Sequence, residues 1–186
     1  MPRVTNHISQ GRAAGVVKCC RCANPIVKGE RYYQWAIKAQ RGGTVYRQHE
    51  SHGRPKQSQL THSKMSGVYA AIEGAEEAIQ AAGCCADVAE ALRSAANDIE
   101  SVRDEYQESL DNMPEGLQQG DTGQQIEERV SNLDDFVSTL NDAADECEGM
   151  EEEPEEPAEG EEAEESDGGL EAAQERANEA LGEMNA

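Results

Sequence analysis

Residues 122–147, "TGQQIEERVSNLDDFVSTLNDAADEC", carry the most regular pattern in the sequence. Apolar residues recur there at spacings of four and three, which is the heptad pattern of a helix that buries one stripe. The stripe consists of Ile126, Val130, Leu133, Val137, Leu140, Ala144 and Cys147. Thr122 and Gln125 stand at capping-box spacing at its start. The stretch therefore predicts a long helix that begins near residue 122.

A second helical pattern precedes this stretch, from about residue 60 to residue 112. Its apolar positions are Val68, Ile72, Ala75, Ile79, Ala82, Cys85, Ala89, Leu92, Ala96, Ile99, Tyr106 and Leu110, with Arg103 in the same series. Gly83 is expected to kink or divide this helix, and "NMPEGLQQGDTG" ends it. Two stripes joined by a short polar turn predict an antiparallel helical hairpin, a coiled coil, over residues 58–149. Cys85 and Cys147 fall at the same level of this hairpin, as small core residues.

The C-terminal region has a different composition. Residues 151–169, "EEEPEEPAEGEEAEESDGG", cannot bury apolar surface, so residues 150–169 are predicted to be a disordered acidic linker. Leu170, Ala173, Ala177, Leu181 and Met184 then predict a short helix over residues 170–186.

Charge is divided sharply along the chain, whose formal charge is −22. Residues 1–65 hold twelve Lys/Arg against two acidic residues, a charge of +10, so the rest of the chain carries −32. Residues 1–17 look like a flexible basic arm. They lack the apolar run of a signal peptide, and no eighteen apolar residues occur together. These features predict a cytoplasmic protein with reduced thiols and no membrane partner.

A compact segment, residues 18–57, lies between the arm and the helices. Tyr33, Trp35 and Ile37 alternate with polar or small residues, and Gly42-Gly43 offers a turn before "TVYRQ". This pattern predicts a β-hairpin. The expected fold class is α+β, mostly α, in which a small zinc-bound β-hairpin module is followed by the helical hairpin and the disordered acidic tail.

Two pairs of candidate metal ligands flank the predicted β-hairpin. Cys19-x-x-Cys22 precedes it and His49-x-x-His52 follows it. Each pair can occupy one edge of a tetrahedron, so the set predicts a structural zinc ion, and a module this small needs such a staple. Cys20 and His62 remain competing ligands. The alternative is that the histidines are ordinary residues of a polar loop.

Catalysis is not expected from these residues. The dithiol lacks the βαβ setting in which redox Cys-x-x-Cys motifs work. "HESH" places its histidines at i and i+3, whereas the metalloprotease motif needs i and i+4. A zinc deaminase would need its H-x-E before the cysteine pair. The sequence therefore favours a binding protein over an enzyme.

Two segments of the N-terminal region resemble known protein families. "CCRCANPIVKGERYYQW" with "YRQHESH" resembles treble-clef and zinc-ribbon modules, in which Cys19 and Cys22 would match the knuckle pair and His49 and His52 the second pair. Gly53 and Pro55 would interrupt the helix that usually carries the second treble-clef pair. "IVKGERYYQWAIKAQRGG" followed by "RPKQSQLTHSKMSGVYAAIE" is similar to a group of uncharacterised tailed-bacteriophage proteins, which implies a viral source.

The basic head, residues 1–65, interleaves cations with tyrosines and the one tryptophan, as in proteins that track phosphates and stack bases. The candidate contacts are Arg21, Lys28, Arg31, Lys38, Arg41, Arg47, Arg54 and Lys56. We therefore expect nucleic-acid binding, modulated by competition from the acidic tail. The alternatives are an adaptor for a host or viral protein and a nucleic-acid mimic. An unmatched apolar stripe around Val68, Ile72 and Ile79 needs a partner, which could be the terminal helix, the head or another subunit; a homodimer is the favoured interpretation.

Overall fold

The chain consists of two compact units in the computed structural model, which describes residues 2–10, 17–39, 42–150 and 168–183. The N-terminal unit is Met1–Tyr69 and the helical unit is Ala70–Ala186. The described residues form five helices and a small antiparallel sheet near the N-terminus, which confirms the predicted mostly helical α+β class. The division falls within the first helix, twelve residues after the predicted boundary at residue 57.

The sheet has three antiparallel strands in the order β1-β2-β3. These are β1 (Thr5–Ile8), β2 (Arg31–Ala39) and β3 (Gly42–His49). The predicted hairpin is thus confirmed as β2 and β3. Strand β1 corrects the prediction of a flexible arm for these four residues, since Thr5 pairs with Gln34 and Ile8 with Arg31. Residues 11–16 of that arm lie outside the described residues.

One face of the sheet, here called the covered face, packs beneath the segment that follows β3. Trp35 is 3% exposed and stacks on Tyr46, with ring centroids 5.6 Å apart. The Trp35 indole Nε1 donates to the Gln59 carbonyl (3.1 Å), and the Tyr46 hydroxyl is 2.9 Å from His62 Nε2. The alternating residues of the hairpin therefore build the small core of this unit.

The helices are α1 (Met65–Ala81), α2 (Cys85–Asp111), α3 (Glu115–Gln118), α4 (Asp121–Gly149) and α5 (Gly168–Gly182). The predicted division at Gly83 is confirmed. The Gly83 amide donates to Asp87 Oδ2 (3.0 Å), so a carboxylate of the first turn of α2 satisfies the backbone at the break.

Helices α2 and α4 pack antiparallel over an apolar core. Leu92, Ile99, Leu133 and Leu140 are each at most 1% exposed, and burying a leucine or isoleucine contributes about 1.5–3 kcal/mol. Ion pairs cross between the helices, Arg93 with Asp145 (2.7 Å) and Arg103 with Asp134 (2.5 Å). The predicted antiparallel pairing is confirmed, and coiled-coil packing remains a prediction.

Helix α5 packs against α2 and α4 as a further member of the bundle. Ala173, Ala177 and Leu181 are buried, and the Cys147 thiol donates to the Ala173 carbonyl (3.4 Å). The stripe that suggested a homodimer is also buried within the single chain, with Val68, Ile72 and Ile79 at most 5% exposed. That stripe gives no reason to expect a second subunit.

The start of α4 differs from the sequence prediction. Gly120 is its N-cap, and this described helix end has no side-chain capping bond, so the capping box expected from Thr122 and Gln125 does not form. The start of the helix is instead packed closely against α3. Gly123 is buried, and a Cβ at this position would overlap the backbone carbonyl of Gln118.

Gly123→Ala should therefore destabilise the helical unit by about 1–3 kcal/mol, the usual cost of overpacking. Gly74 in α1 provides the control, because a Cβ there would meet open space. Gly74→Ala should stabilise by up to about 1 kcal/mol through helix propensity. Urea unfolding followed by far-UV circular dichroism measures both changes, and equal effects of the two substitutions would contradict the close contact at Gly123.

Candidate metal centre

A tight turn presents Cys19 and Cys22 together. The Cys19 amide donates to the Asn24 carbonyl (2.8 Å), and the Ala23 amide donates to the Cys19 carbonyl (3.0 Å). Ala23 has φ +59°, in the left-handed region that residues other than glycine rarely adopt. This backbone reversal lets the two cysteines share one small turn.

The second pair lies where β3 ends. His49 is the last residue of the strand, and His52 ends a 3-10 turn, Glu50–His52. Gly53, with φ +78°, turns the chain away immediately afterwards. The fully buried Gln48 holds this turn, because its Nε2 donates to the Gly53 carbonyl (3.0 Å). The two imidazoles are therefore carried by the end of a strand and by a short 3-10 turn, and not by an α-helix.

Hydrogen bonds join the cysteine turn to β3. The Cys20 amide donates to the Arg47 carbonyl (2.8 Å), and Arg21 Nη1 donates to the His52 carbonyl (3.1 Å). Both bonds end on backbone carbonyls, so they connect the two ligand pairs without using any ligand side chain.

The structure brings Cys19, Cys22, His49 and His52 into one cluster, as the sequence predicted. One ligand atom from each residue lies within 4.8 Å of all the others, and Cys22 Sγ is 3.5 Å from His49 Nδ1. The edges of a tetrahedral zinc site with N and S ligands measure about 3.3–3.8 Å, given bonds of about 2.0–2.3 Å. The arrangement is compatible with a metal ion.

The surroundings of Cys19 favour its thiolate. Burial raises the pKa of this thiol, but hydrogen bonds from the backbone N–H groups of Cys22, His49 and Arg21 and from the Cys22 thiol lower it to about 7 overall. The Arg21 amide, for example, lies 3.4 Å from Cys19 Sγ. Because the thiolate is the form that ligates metals, the backbone prepares this sulfur for coordination.

The two histidines are also oriented as ligands. His52 Nε2 belongs to the few buried side-chain polar atoms of the described residues that have no hydrogen-bond partner. His49 presents Nδ1 to the cluster, while its Nε2 is 3.5 Å from Glu30 Oε2. The Val27 amide donates a hydrogen bond to the same carboxylate oxygen (2.7 Å). A carboxylate behind a histidine is the usual outer partner of a metal-ligating imidazole.

Glu30 and Gln48, which support the cluster, were not among the candidates from the sequence.

The competing ligands Cys20 and His62 are not members of the cluster found among the described residues. The Cys20 side chain is exposed, with its pKa raised by desolvation and by the neighbouring Cys19. His62 instead lies beside Tyr46. The cluster thus selects one ligand set from the alternatives that spacing left open.

The predicted nucleic-acid contacts are distributed over several parts of the N-terminal unit. Arg41 lies outside the described residues. Six of the others are exposed and Arg47 is half-buried; the exposed ones are Arg21, Lys28, Arg31, Lys38, Arg54 and Lys56. Arg31 forms a loose ion pair with Glu50 (3.9 Å). These residues do not form a single surface, because strand alternation separates Arg31 from Lys38.

The face of the sheet opposite Trp35, here called the open face, brings two of these cations together with aromatic rings. Strand register places Lys38 and Arg47 on this face with Tyr32 and His7. The rings of His7 and Tyr32 stack with centroids 5.6 Å apart. Arg47 Nε donates to Gln34 Oε1 (2.9 Å), which holds the guanidinium along the sheet. The open face is therefore a basic surface with its own aromatic pair.

Most of the predicted aromatic set lies elsewhere. Trp35 and Tyr46 belong to the covered face, where Trp35 is buried and the half-buried Tyr46 stacks on it. Tyr32 was in the predicted set, whereas His7 was overlooked because β1 was not predicted.

The remaining cysteines, Cys84, Cys85 and Cys147, lie in the helical unit and form no disulfide. Cys85 and Cys147 are buried, as expected for small core residues, and Cys84 is exposed. Burial raises the pKa of Cys147, partly opposed by the charge of Arg176.

Comparisons with protein-family models, with curated proteins and with solved structures find no match to this chain. Among the helices of the described residues, none has the length and apolarity needed to cross a membrane.

Proposed function

We propose that the N-terminal unit is a zinc-stabilised module that binds single-stranded nucleic acid through the open face of its sheet. The observation that carries this proposal is the placement of a stacked His7–Tyr32 pair on the same solvent-facing side of the sheet as Arg47 and Lys38. The metal cluster lies at one end of the same hairpin, since His49 pairs with Tyr32 across the strands.

The donor set supports zinc. Two thiolates and two imidazoles are the ligands of many structural zinc sites, and they suit zinc better than the oxygen-seeking ions magnesium or calcium. All four positions are supplied by the protein. The ion would therefore have a structural role, holding the cysteine turn against β3.

The open face supports a single strand as the ligand. Unpaired bases stack on aromatic rings, and each such contact is worth about 1–3 kcal/mol. Cations flanking the rings can follow the phosphates. Residues 1–65 contain twelve Lys/Arg and two acidic residues, so this segment carries a net charge of +10.

Binding should therefore depend on the open face more than on the charge of the unit as a whole. Lys38→Gln with Arg47→Gln should weaken the binding of a labelled single-stranded oligonucleotide roughly ten-fold, since two cationic contacts are lost. Fluorescence anisotropy with the full chain measures this change, using DNA and RNA probes.

The control is Lys28→Gln with Arg54→Gln, which removes the same charge from exposed positions off the open face. It should change affinity less than three-fold. Equal losses in both double variants would indicate unspecific attraction and contradict a site on the sheet.

A second candidate function, a protein adaptor, is favoured by the surface of the helical unit. Between residues 70 and 150 the sequence has 21 acidic residues and three arginines. Such a surface suits a basic protein partner through electrostatic complementarity. This function becomes the better account if neither DNA nor RNA binds in dilute salt.

A further inference from the structure

The N-terminal unit also contains an open cavity of about 820 Å³, separate from the metal cluster. This volume falls within the range of about 300–1,000 Å³ that small-molecule sites occupy. Its wall is formed by the end of β2, by residues that precede β1, by the segment that leads into α1 and by the start of α1.

The lining combines three kinds of side chain. Apolar groups come from Ile37, Leu60, Met65 and the ring of Tyr69. Hydroxyls come from Thr61 and Ser63, whose oxygens are 3.0 Å apart.

Two cations complete the lining, Arg3 and Lys38, and both are exposed. None of the residues that line the cavity carries a carboxylate. The cavity therefore suits a ligand with a flat apolar body and an anionic group.

The cavity adjoins the surface already assigned to nucleic acid. Ala36 and Lys38 line it and also belong to the open face. A strand that crosses the sheet would thus reach the cavity without leaving the protein surface. This continuity favours a nucleotide as the occupant over an acidic peptide.

We propose that this cavity is a nucleotide subsite, which holds one unpaired base against Ile37, Met65 and Tyr69 and its phosphate between Arg3 and Lys38. The inference rests on the proposed function, because it assigns the end of the same binding surface. It goes further by requiring that a single nucleotide binds, whereas stacking on the open face alone requires a strand.

The test is a titration of the isotope-labelled full chain, followed by NMR, with adenosine 5′-monophosphate, adenosine and ribose 5-phosphate as probes. The monophosphate should perturb amides around Ile37 and Thr61, and each of the two fragments should bind at least about ten-fold more weakly. If ribose 5-phosphate binds as well as the nucleotide, the apolar wall is not used and the proposal is wrong. If adenosine binds as well as the monophosphate, Arg3 and Lys38 do not hold the phosphate, and the proposal is again wrong.

Arg3→Gln should weaken nucleotide binding roughly two- to five-fold, the order expected for one exposed charge contact. Lys18→Gln, which removes an exposed charge that does not line the cavity, should leave nucleotide binding unchanged. Binding of an acidic apolar peptide without binding of the nucleotide would overturn the subsite.

Tyr32→Ala separates the two proposals, because Tyr32 lies on the open face and not in the lining. It should weaken oligonucleotide binding and leave nucleotide binding intact. Oligonucleotide binding without nucleotide binding would remove the subsite alone, and loss of both would remove the proposed function with it.

Discussion

Cys22→Ser and His52→Asn are each expected to unfold the N-terminal unit while the helices remain folded. Before residue 65 the buried apolar side chains of the described chain are Cys19, Ile26, Trp35 and Pro55. At about 1.5–3 kcal/mol for each large apolar side chain, so few residues cannot offset the entropy of ordering the unit. A structural zinc ion supplies about 10–16 kcal/mol in small metal-dependent domains.

The chain offers separate signals for the two units. Trp35 is the one tryptophan of the sequence and is 3% exposed, so its fluorescence reports on the N-terminal unit. Far-UV circular dichroism is dominated by the helices. Metal loss, by substitution or by chelation, should shift the tryptophan emission to that of an exposed indole and change the helical signal little.

Cys20→Ser is the matched control, because this exposed thiol adjoins the ligands without joining the cluster. It should retain about one equivalent of zinc and a buried tryptophan. Glu30→Gln should give an intermediate result, a loss of about 10- to 100-fold in zinc affinity, as expected for an outer partner of a ligating histidine. A buried Trp35 in metal-free protein would contradict the structural role of the ion.

Much of the fold was predictable because its signals are local. The apolar spacing predicted α2 and α4, and Gly83 marked the division between α1 and α2. Strand β1 was missed because its four residues show no apolar alternation. Their partners in β2 lie 23 to 29 positions further along the chain, so the pairing forms only when the chain folds. The terminal helix was considered only as one possible partner of the stripe in α1, and its packing against α2 and α4 was not predicted, because these contacts join residues that are distant in sequence.

The candidate site divides in the same way. Ligand spacing was sufficient to predict Cys19, Cys22, His49 and His52. The roles of Glu30 and Gln48 depend on how the turns fold, and spacing carries no information on that. Periodicity predicted that residues alternate between two faces along β2. It could not show which face is covered by the segment that follows β3, and it is this covering that places Trp35 in the core and leaves Tyr32 on the open face.

The affinity for a single strand is expected to fall roughly fifty-fold between about 50 and 200 mM salt. Four phosphate contacts give a slope of about −3 in a plot of log affinity against log salt, because each contact releases part of a condensed counterion. In the proposed complex, Lys38 and Arg47 would supply two of these contacts and other exposed cations of the unit would supply the rest. The Lys38→Gln, Arg47→Gln variant should lower the slope to about half.

The acidic segment should also act on this equilibrium. Residues 151–167, which lie outside the described residues, contain ten glutamates and one aspartate, all tethered to the same chain as the cations. Tethering raises the effective concentration of a competitor. Changing these residues to Gln and Asn should therefore tighten binding. A chain that ends at residue 150 would be a poorer test, because it also lacks α5, whose Ala173, Ala177 and Leu181 are buried.

The gain from neutralising the segment should depend on salt and on the open face. It should be largest near 10 mM, where the Debye length is about 30 Å, and small near 0.15 M, where it is about 8 Å. In the Lys38→Gln, Arg47→Gln background the gain should shrink, because the segment and the phosphates then no longer compete for these cations. Equal affinities with and without the acidic residues at every salt concentration would show that the segment does not compete for the binding surface. Absence of binding by both proteins even at 10 mM would remove the nucleic-acid proposal and leave the adaptor.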